Sequence, residues 1–139
     1  MKNQSTALKK QEVSYLYSSS VSCGFPSPAD EYLDGPLDLN DLLVKKPAAT
    51  FFVRAKGDSM IDEGIFEGDI LIIDRSVQPR SGQVVLAVIN GEFTLKRLIK
   101  NGAQIILQPE NPKYNPIQVT AEMDFQVWGV AVHCIHKLN

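Results

Sequence analysis

The sequence is poor in the residues from which many functional sites are built. Among its 139 residues, cysteine occurs only at Cys23 and Cys134, and histidine only at His133 and His136. Two cysteines cannot provide a disulfide framework or a cysteine-based zinc site. We therefore expect no metal centre. No cofactor is indicated either, because the sequence has no glycine-rich phosphate-binding loop.

Long apolar runs and an excess of positive charge are also missing. No run approaches the roughly 18 apolar residues that a membrane-spanning helix needs. The lysines near the N-terminus are not followed by the apolar segment of a signal peptide. The net charge is −2, which argues against direct DNA binding through a basic surface. These features predict a cytoplasmic protein that binds neither membrane nor DNA directly.

The composition changes near residue 45. Residues 1–45 are rich in serine and proline with little periodic hydrophobicity, which is typical of a flexible arm, and only residues 38–44 have the pattern of a short helix. In residues 46–139, runs of β-branched and aromatic residues alternate with glycines, which predicts a compact, mostly antiparallel β-domain. The predicted strands are residues 51–55, 70–74, 84–89, 92–98, 103–108, 117–120 and 125–136.

One hairpin can be placed in register. The dipeptide Asn-Gly at 90–91 is the preferred pair for a two-residue type I′ turn between two strands. This turn places Lys96 opposite Val85, with Ala87 and Thr94 as neighbours on the same face. The next residue, an arginine, points to the other face. A single lysine is thus predicted to lie among small and apolar side chains.

A serine follows the first predicted strand of the domain. Residues 59–62 have the Ser-x-x-acid pattern that begins a short helix, and Gly64 would end it. Ser59 could simply cap this helix. Alternatively, it could be a nucleophile beside free backbone N–H groups that hold an oxyanion. The local spacing alone favours the cap.

Lys96 also has two interpretations. Most strand lysines are solvated, but a desolvated lysine could act as the base for Ser59 if burial lowers its pKa from about 10.4 towards about 7–8. The rival bases are His133 and His136. They have opposite parity in the last strand, so they cannot share a face or a metal, and we interpret each as a structural or surface residue.

Two further features carry weaker hypotheses. Cys134 is in phase with Trp128, Val130 and Val132, which predicts a buried thiol that acts as a small hydrophobic residue. Four acidic residues cluster in a loop-rich segment without the ligand pattern of an EF-hand, and we interpret them as solvated surface rather than a cation site. They are Asp62, Glu63, Glu67 and Asp69.

Beyond about residue 20, the sequence resembles the UmuD family. These are SOS mutagenesis proteins related to the self-cleaving domain of LexA and, more distantly, to bacterial signal peptidases. The resemblance implies a compact LexA/signal-peptidase-like antiparallel β-domain behind the arm. The segments that carry it are CGFPSPADEY (23–32), DLNDLL (38–43), GDSMID (57–62), GDILIID (68–74), NGEFTLKRL (90–98) and FQVWGVAVH (125–133).

The resemblance implies that a serine–lysine dyad cuts the protein's own arm. Carried over, Ser59 is the nucleophile and Lys96 is the general base. The backbone N–H groups of Asp58 and Ser59 would bind the oxyanion. The bond cut would be Cys23–Gly24. The 35 residues from Gly24 to Ser59 give ample reach for the arm to fold back.

The resemblance further implies control and partners. Cleavage would be stimulated by a RecA filament on single-stranded DNA. The product, residues 24–139, would form a homodimer and serve as accessory subunit of a UmuC-type error-prone translesion polymerase. Leu16-Tyr17 is the candidate contact for the polymerase sliding clamp, unless these residues pack on the core. The alternative is a non-catalytic polymerase-binding module with a silent dyad. A repressor is not expected, because the arm lacks the three-helix pattern of a DNA-binding domain.

Overall fold

The computed structural model describes residues 13–17, 20–26 and 33–139. The chain divides into two compact units, with the division between Leu42 and Leu43. Residues 27–32 of the predicted cleavage segment lie outside the described residues. In the part of the chain that the structure describes, no helix has the length and hydrophobicity to cross a membrane.

The first unit contains a small antiparallel sheet. Strand β1, Ser14–Tyr17, pairs with strand β2, Leu33–Leu37. The sequence predicts no strand before residue 50, because these segments lack alternating hydrophobicity and one contains Gly35 and Pro36. Helix α1, Leu39–Leu43, lies within the helix predicted for residues 38–44, and the Asp38 carboxylate accepts the N–H of Asn40 at 2.9 Å.

The second unit is built on one seven-stranded sheet in the order β3-β4-β9-β5-β6-β7-β8. Every neighbouring pair is antiparallel, which confirms the predicted fold class. Two 3₁₀ helices, Pro47–Ala49 and Ile61–Glu63, complete the unit. The strands are β3 Thr50–Arg54, β4 Ile70–Asp74, β5 Val84–Ile89, β6 Glu92–Asn101, β7 Gln104–Gln108, β8 Ile117–Gln118 and β9 Phe125–Ile135.

The β5–β6 hairpin has the predicted register. Lys96 pairs with Val85, and Thr94 with Ala87. Asn90 and Gly91 both have positive φ, 49° and 84°, as a type I′ turn requires. The turn chemistry therefore determines which face of β6 carries the lysine.

Side chains on the two faces of the sheet form separate hydrophobic clusters. Alternation along β5 places Leu86 in the first cluster and its neighbours Val85 and Ala87 in the second. The first cluster consists of Ala55, Met60, Ile65, Leu71, Ile73 and Leu86. The second consists of Val85, Ala87, Leu98, Leu107 and Val130.

Strand β9 is irregular at two places. Its pairing skips Trp128 opposite β5 and Val132 opposite β4, and a bulge of this kind moves the following residues to the other face. Between them, Gly129 allows a close approach to β4, because an added Cβ would lie 2.5 Å from the Ile73 side chain. The bulge at Val132 makes the prediction for Cys134 wrong: the cysteine is out of phase with Val130 and is exposed.

Candidate active site

Ser59 lies in the loop between β3 and the 3₁₀ helix Ile61–Glu63. The helix begins after Met60, which forms no side-chain cap, and ends at Gly64 with a left-handed φ of 85°. The interpretation of Ser59 as the helix cap is therefore wrong, although Gly64 ends the helix as predicted. The Ser59 hydroxyl instead accepts a hydrogen bond from Lys96, with Nζ 3.2 Å from Oγ.

Lys96 reaches this hydroxyl from the middle of β6. Only 9% of the residue is exposed, and its ammonium also donates to Thr94 Oγ1 at 2.7 Å and to the Leu95 carbonyl at 3.1 Å. All three acceptors are neutral, and no carboxylate of the described residues forms an ion pair with it. Desolvation by burial therefore lowers the pKa of Lys96 below its usual value of 10.5. This arrangement favours a neutral amine that can accept a proton.

The predicted oxyanion donors are next to the hydroxyl in sequence. Among the described residues, no hydrogen bond is donated by the backbone N–H groups of Asp58 and Ser59. The turn that presents them starts at Gly57, whose φ of 83° suits glycine. The Gly57 N–H is bound to the Glu67 carboxylate at 2.8 Å. The two N–H groups are thus free to bind a developing negative charge.

A second loop, which follows β7, is hydrogen-bonded to the loop that carries Ser59 (the serine loop). The N–H of Glu110 donates to the Ser59 carbonyl at 2.8 Å. The Asn111 side chain donates to the Asp58 carbonyl at 2.8 Å, and the Tyr114 hydroxyl donates to the Asp58 carboxylate at 2.5 Å. The bond to the carboxylate raises the pKa of Tyr114. The sequence does not predict these contacts, because no local pattern in the loop indicates its partner.

An apolar groove of about 350 Å³ opens beside Ser59. Trp128 forms its aromatic wall with Phe93, their ring centroids 5.9 Å apart. Strand β3 lies at the edge of the sheet and contributes Val53 and Arg54 to the lining. An edge strand has backbone groups free to pair with an extended peptide. The groove can therefore bind a peptide close to the serine–lysine pair.

The predicted cleavage bond lies in an exposed part of the chain. Cys23 is exposed, and the Gly24 N–H is bound only locally, to the Ser22 hydroxyl at 3.3 Å. Val21 and Phe25 on either side are 86% and 91% exposed. Little local structure would have to be broken for this segment to extend.

The acidic cluster does not behave as one surface. Asp69 is buried with 4% exposure, so its interpretation as solvated surface is wrong. Its carboxylate accepts hydrogen bonds from the Phe66 N–H at 2.8 Å, from Cys134 at 3.3 Å and from His136 at 2.7 Å. The Glu67 carboxylate instead accepts the N–H of Gly57, at the start of the turn that carries Ser59. No group of three metal-binding side chains occurs in the described residues.

Burial and hydrogen bonding act in opposite directions on Asp69. Burial alone would raise its pKa, but the hydrogen bonds from Phe66, His136 and Cys134 outweigh this and hold the pKa below 3.8. Partial burial and the neighbouring carboxylate raise the pKa of Cys134 to about 11. Both histidines are exposed, and neither donates to Ser59, whose hydroxyl is bound by the lysine.

A buried lysine that donates a hydrogen bond to a serine hydroxyl, within a mostly antiparallel β-fold, is typical of serine–lysine peptidases. The comparison with known families supports a peptidase. The model of the family described as "Peptidase S24-like" matches residues 15–132. The chain therefore belongs to the S24-like peptidase family.

Individual relatives agree with this assignment. Protein SamA of Salmonella typhimurium is 43% identical over 127 residues, which are 91% of this chain and 88% of SamA. Protein ImpA of the same species is 40% identical over 88% of this chain and 83% of ImpA. The LexA repressor of Dechloromonas aromatica is 44% identical over 84% of this chain, but over only 58% of the repressor. The resemblance to the UmuD family is confirmed.

Proposed function

We propose that this protein is a self-cleaving serine peptidase of the SOS response that cuts its own Cys23–Gly24 bond. One observation carries the proposal: a lysine that is 91% shielded from solvent and has no acidic partner in the described residues donates to Ser59 Oγ at 3.2 Å. Desolvation favours the neutral amine, which can take the hydroxyl proton. The family assignment supports a peptidase, and the exposed segment around Gly24 supports the bond.

The reaction proceeds by acyl transfer to the serine. Neutral Lys96 takes the hydroxyl proton as Ser59 Oγ attacks the carbonyl carbon of Cys23. The Asp58 and Ser59 N–H groups stabilise the oxyanion. Protonated Lys96 then gives its proton to the leaving amine of Gly24, and the peptide bond breaks. Lys96 next takes a proton from a water that attacks the carbonyl carbon of the Cys23 ester. It then gives this proton to the departing Ser59 Oγ, which frees the serine and restores the dyad.

Control of cleavage and the partners of the product complete the proposal. A RecA filament on single-stranded DNA stimulates cleavage by increasing the fraction of chains whose arm occupies the groove. The product, residues 24–139, acts as a dimeric accessory subunit of a UmuC-type translesion polymerase in the cytoplasm. Leu16 and Tyr17, both exposed in β1, contact the sliding clamp in the uncleaved form. The family resemblance supports these partners.

The decisive experiment is intact mass spectrometry of the full chain after incubation at neutral pH and at about pH 10. Alkaline conditions populate neutral Lys96 without an activator. The 116-residue fragment 24–139 should appear in the unsubstituted chain and be absent in Ser59→Ala and Lys96→Ala. Lys100→Ala is the matched control, because Lys100 is an exposed lysine of the same strand, and it should cleave normally.

Failure of cleavage would separate the two functional hypotheses. If the unsubstituted chain stays whole at high pH and also with an activated RecA filament, the peptidase proposal is wrong. A chain that stays whole but still binds a UmuC-type polymerase would be a binding module with a silent dyad. A fragment that persists in Ser59→Ala would point to a contaminating protease.

A further inference from the structure

The loop that follows β7 contributes a buried amide to the serine turn. We infer that Asn111 is a positioning residue for cleavage: it holds the Asp58–Ser59 peptide so that the Ser59 N–H faces the carbonyl oxygen under attack. This inference rests on the proposed function, in which that N–H is an oxyanion donor. It adds a residue, outside the dyad, on which the rate should depend.

The contact that carries the inference is a single side-chain to backbone bond. Asn111 Nδ2 donates to the Asp58 carbonyl oxygen at 2.8 Å, and Asn111 is only 7% exposed. The same carbonyl oxygen accepts the Ile61 N–H at 3.3 Å, which is a longer and weaker contact. The asparagine is therefore the stronger of the two restraints on this carbonyl.

The planarity of the peptide bond transmits this restraint to Ser59. The Asp58 carbonyl and the Ser59 N–H belong to one peptide unit, and no described peptide bond is cis. In a trans peptide the C=O and N–H bonds point in opposite directions. Fixing the carbonyl towards Asn111 therefore directs the Ser59 N–H away from Asn111, where no described residue accepts it. An oxyanion could take this place.

The orientation of the Asn111 amide is itself fixed. Its Oδ1 accepts the N–H of Lys113 at 3.0 Å, so the NH₂ group must be the end that faces Asp58. Its carbonyl accepts the N–H of Tyr114 at 3.1 Å. The loop is thus a folded turn that presents the NH₂ group of Asn111 as a donor to Asp58. Exchanging the positions of the amide oxygen and nitrogen would break both side-chain contacts of Asn111.

Tyr114 provides a matched control. It lies in the same loop and also contacts Asp58, but its hydroxyl donates to the side-chain carboxylate rather than to the peptide carbonyl. Loss of this bond leaves the Asp58–Ser59 peptide held by Asn111. A general loosening of the loop would affect both contacts, whereas the positioning role concerns Asn111 alone.

The test compares Asn111→Asp and Tyr114→Phe in the full chain. Asn111→Asp keeps the size and the Oδ1 acceptor but loses the donor, and we expect it to slow cleavage about 10- to 100-fold at every pH between 7 and 10.5. In the uncharged variant Asn111→Ala, the pH at which the rate levels off should not move, because no charge is added near Lys96. Tyr114→Phe should slow cleavage much less than Asn111→Asp does, because it leaves the peptide carbonyl of Asp58 bound to Asn111. Asn111→Ala is the second variant if the charged one does not fold.

An independent readout is the Ser59 amide signal in the ¹H–¹⁵N NMR spectrum of the uncleaved chain. It should move in Asn111→Asp or Asn111→Ala and stay in place in Tyr114→Phe. Equal slowing by the asparagine and tyrosine variants, or an unmoved amide signal, would overturn the inference. If the unsubstituted chain does not cleave, the proposed function fails, and the amide signal alone decides whether Asn111 orients this peptide.

Discussion

Among the ionisable side chains buried in the second unit, Lys96 and Asp69 have opposite surroundings. Lys96 on β6 donates to three neutral oxygens and has no acidic partner among the described residues. Asp69, just before β4, accepts from a backbone N–H, a thiol and a histidine. The pKa of each group is lowered, but this stabilises the charged form of the aspartate and the neutral form of the lysine.

Under the proposed function, this difference separates a reactive group, Lys96, from a structural one, Asp69. A carboxylate supplied with donors has little tendency to exchange protons near neutral pH, so the Asp69 cluster (Asp69, Cys134 and His136) serves to fix the end of β9 to the start of β4. A lysine held without a counter-ion is closer to giving up its proton, which is what a general base requires. The same unit therefore uses burial in two ways.

The largest expected effect is on cleavage. Lys96→Met removes the base while keeping the apolar length of the side chain, and should slow cleavage about 10²- to 10⁴-fold. Asp69→Asn should leave the rate nearly unchanged at temperatures where the variant is folded. Both rates can be measured by gel or mass spectrometry at pH 10. Comparable losses in the two variants would mean that the Asp69 cluster is part of the active site.

The next effect concerns thiol reactivity. Because the pKa of Cys134 is raised to about 11, the thiolate fraction at pH 8 should be about 100-fold lower than at the usual pKa near 9. Alkylation of Cys134 by iodoacetamide should be slower by a similar factor in the folded chain than in denaturant. Asp69→Asn should speed it up, since the neighbouring charge is lost. Fast alkylation of the folded original chain would contradict the geometry of the cluster.

A smaller effect is expected on stability at pH 7. Asp69→Ala leaves the Phe66 N–H without its acceptor and should lower the free energy of unfolding by about 1–3 kcal/mol. Lys96→Met should not lower it, because the cost of desolvating the ammonium disappears. Urea denaturation followed by tryptophan fluorescence would measure both. A clear destabilisation by Lys96→Met would show that the lysine contributes more to folding than its neutral partners suggest.

The smallest effects are the slopes of stability with pH. The folded pKa of Asp69 is below 3.8, so its contribution is present above pH 3.8 and is lost as the pH falls through the folded pKa. The folded pKa of Lys96 is below 10.5. For each group the unfolded chain binds more protons between the folded and the unfolded pKa, which is a window ending at pH 3.8 for Asp69 and a separate window ending at pH 10.5 for Lys96. Stability should rise with pH within each of these two windows. Asp69→Asn should remove the contribution of Asp69 to the slope in the acidic window, and Lys96→Met that of Lys96 in the alkaline window. Denaturation series measured across pH would show both.

The parts of the site that local rules control could be predicted from the sequence. The Asn90–Gly91 turn and the alternation of β6 placed Lys96 opposite Val85, as observed. Gly64 ends the 3₁₀ helix as expected. These features depend on residues a few positions apart, so the sequence contains the whole cause.

The parts that depend on packing could not be predicted. The bulges at Trp128 and Val132 shift the phase of β9, and they lie opposite two different strands, β5 and β4. Because of these bulges, the sequence pattern predicts the wrong face of the sheet for Cys134 and does not predict its contact with Asp69. Asn111 was missed for a related reason, since its partner Asp58 is 53 residues away.

The neighbouring positions 96 and 97 of β6 also limit how this sequence can change. Arg97 points away from Lys96 and binds Glu63 and Glu110, and the backbone of Glu110 in turn holds Ser59 and Asp62. Side chains alternate between the two faces of a strand. Inserting or deleting one residue between the turn and Lys96 would therefore move the Lys96 and Arg97 side chains each to the opposite face of β6. Such a change would remove both the proposed base and the support of the serine loop. We therefore expect the spacing from Asn90 to Lys96 to tolerate substitutions but no change of length.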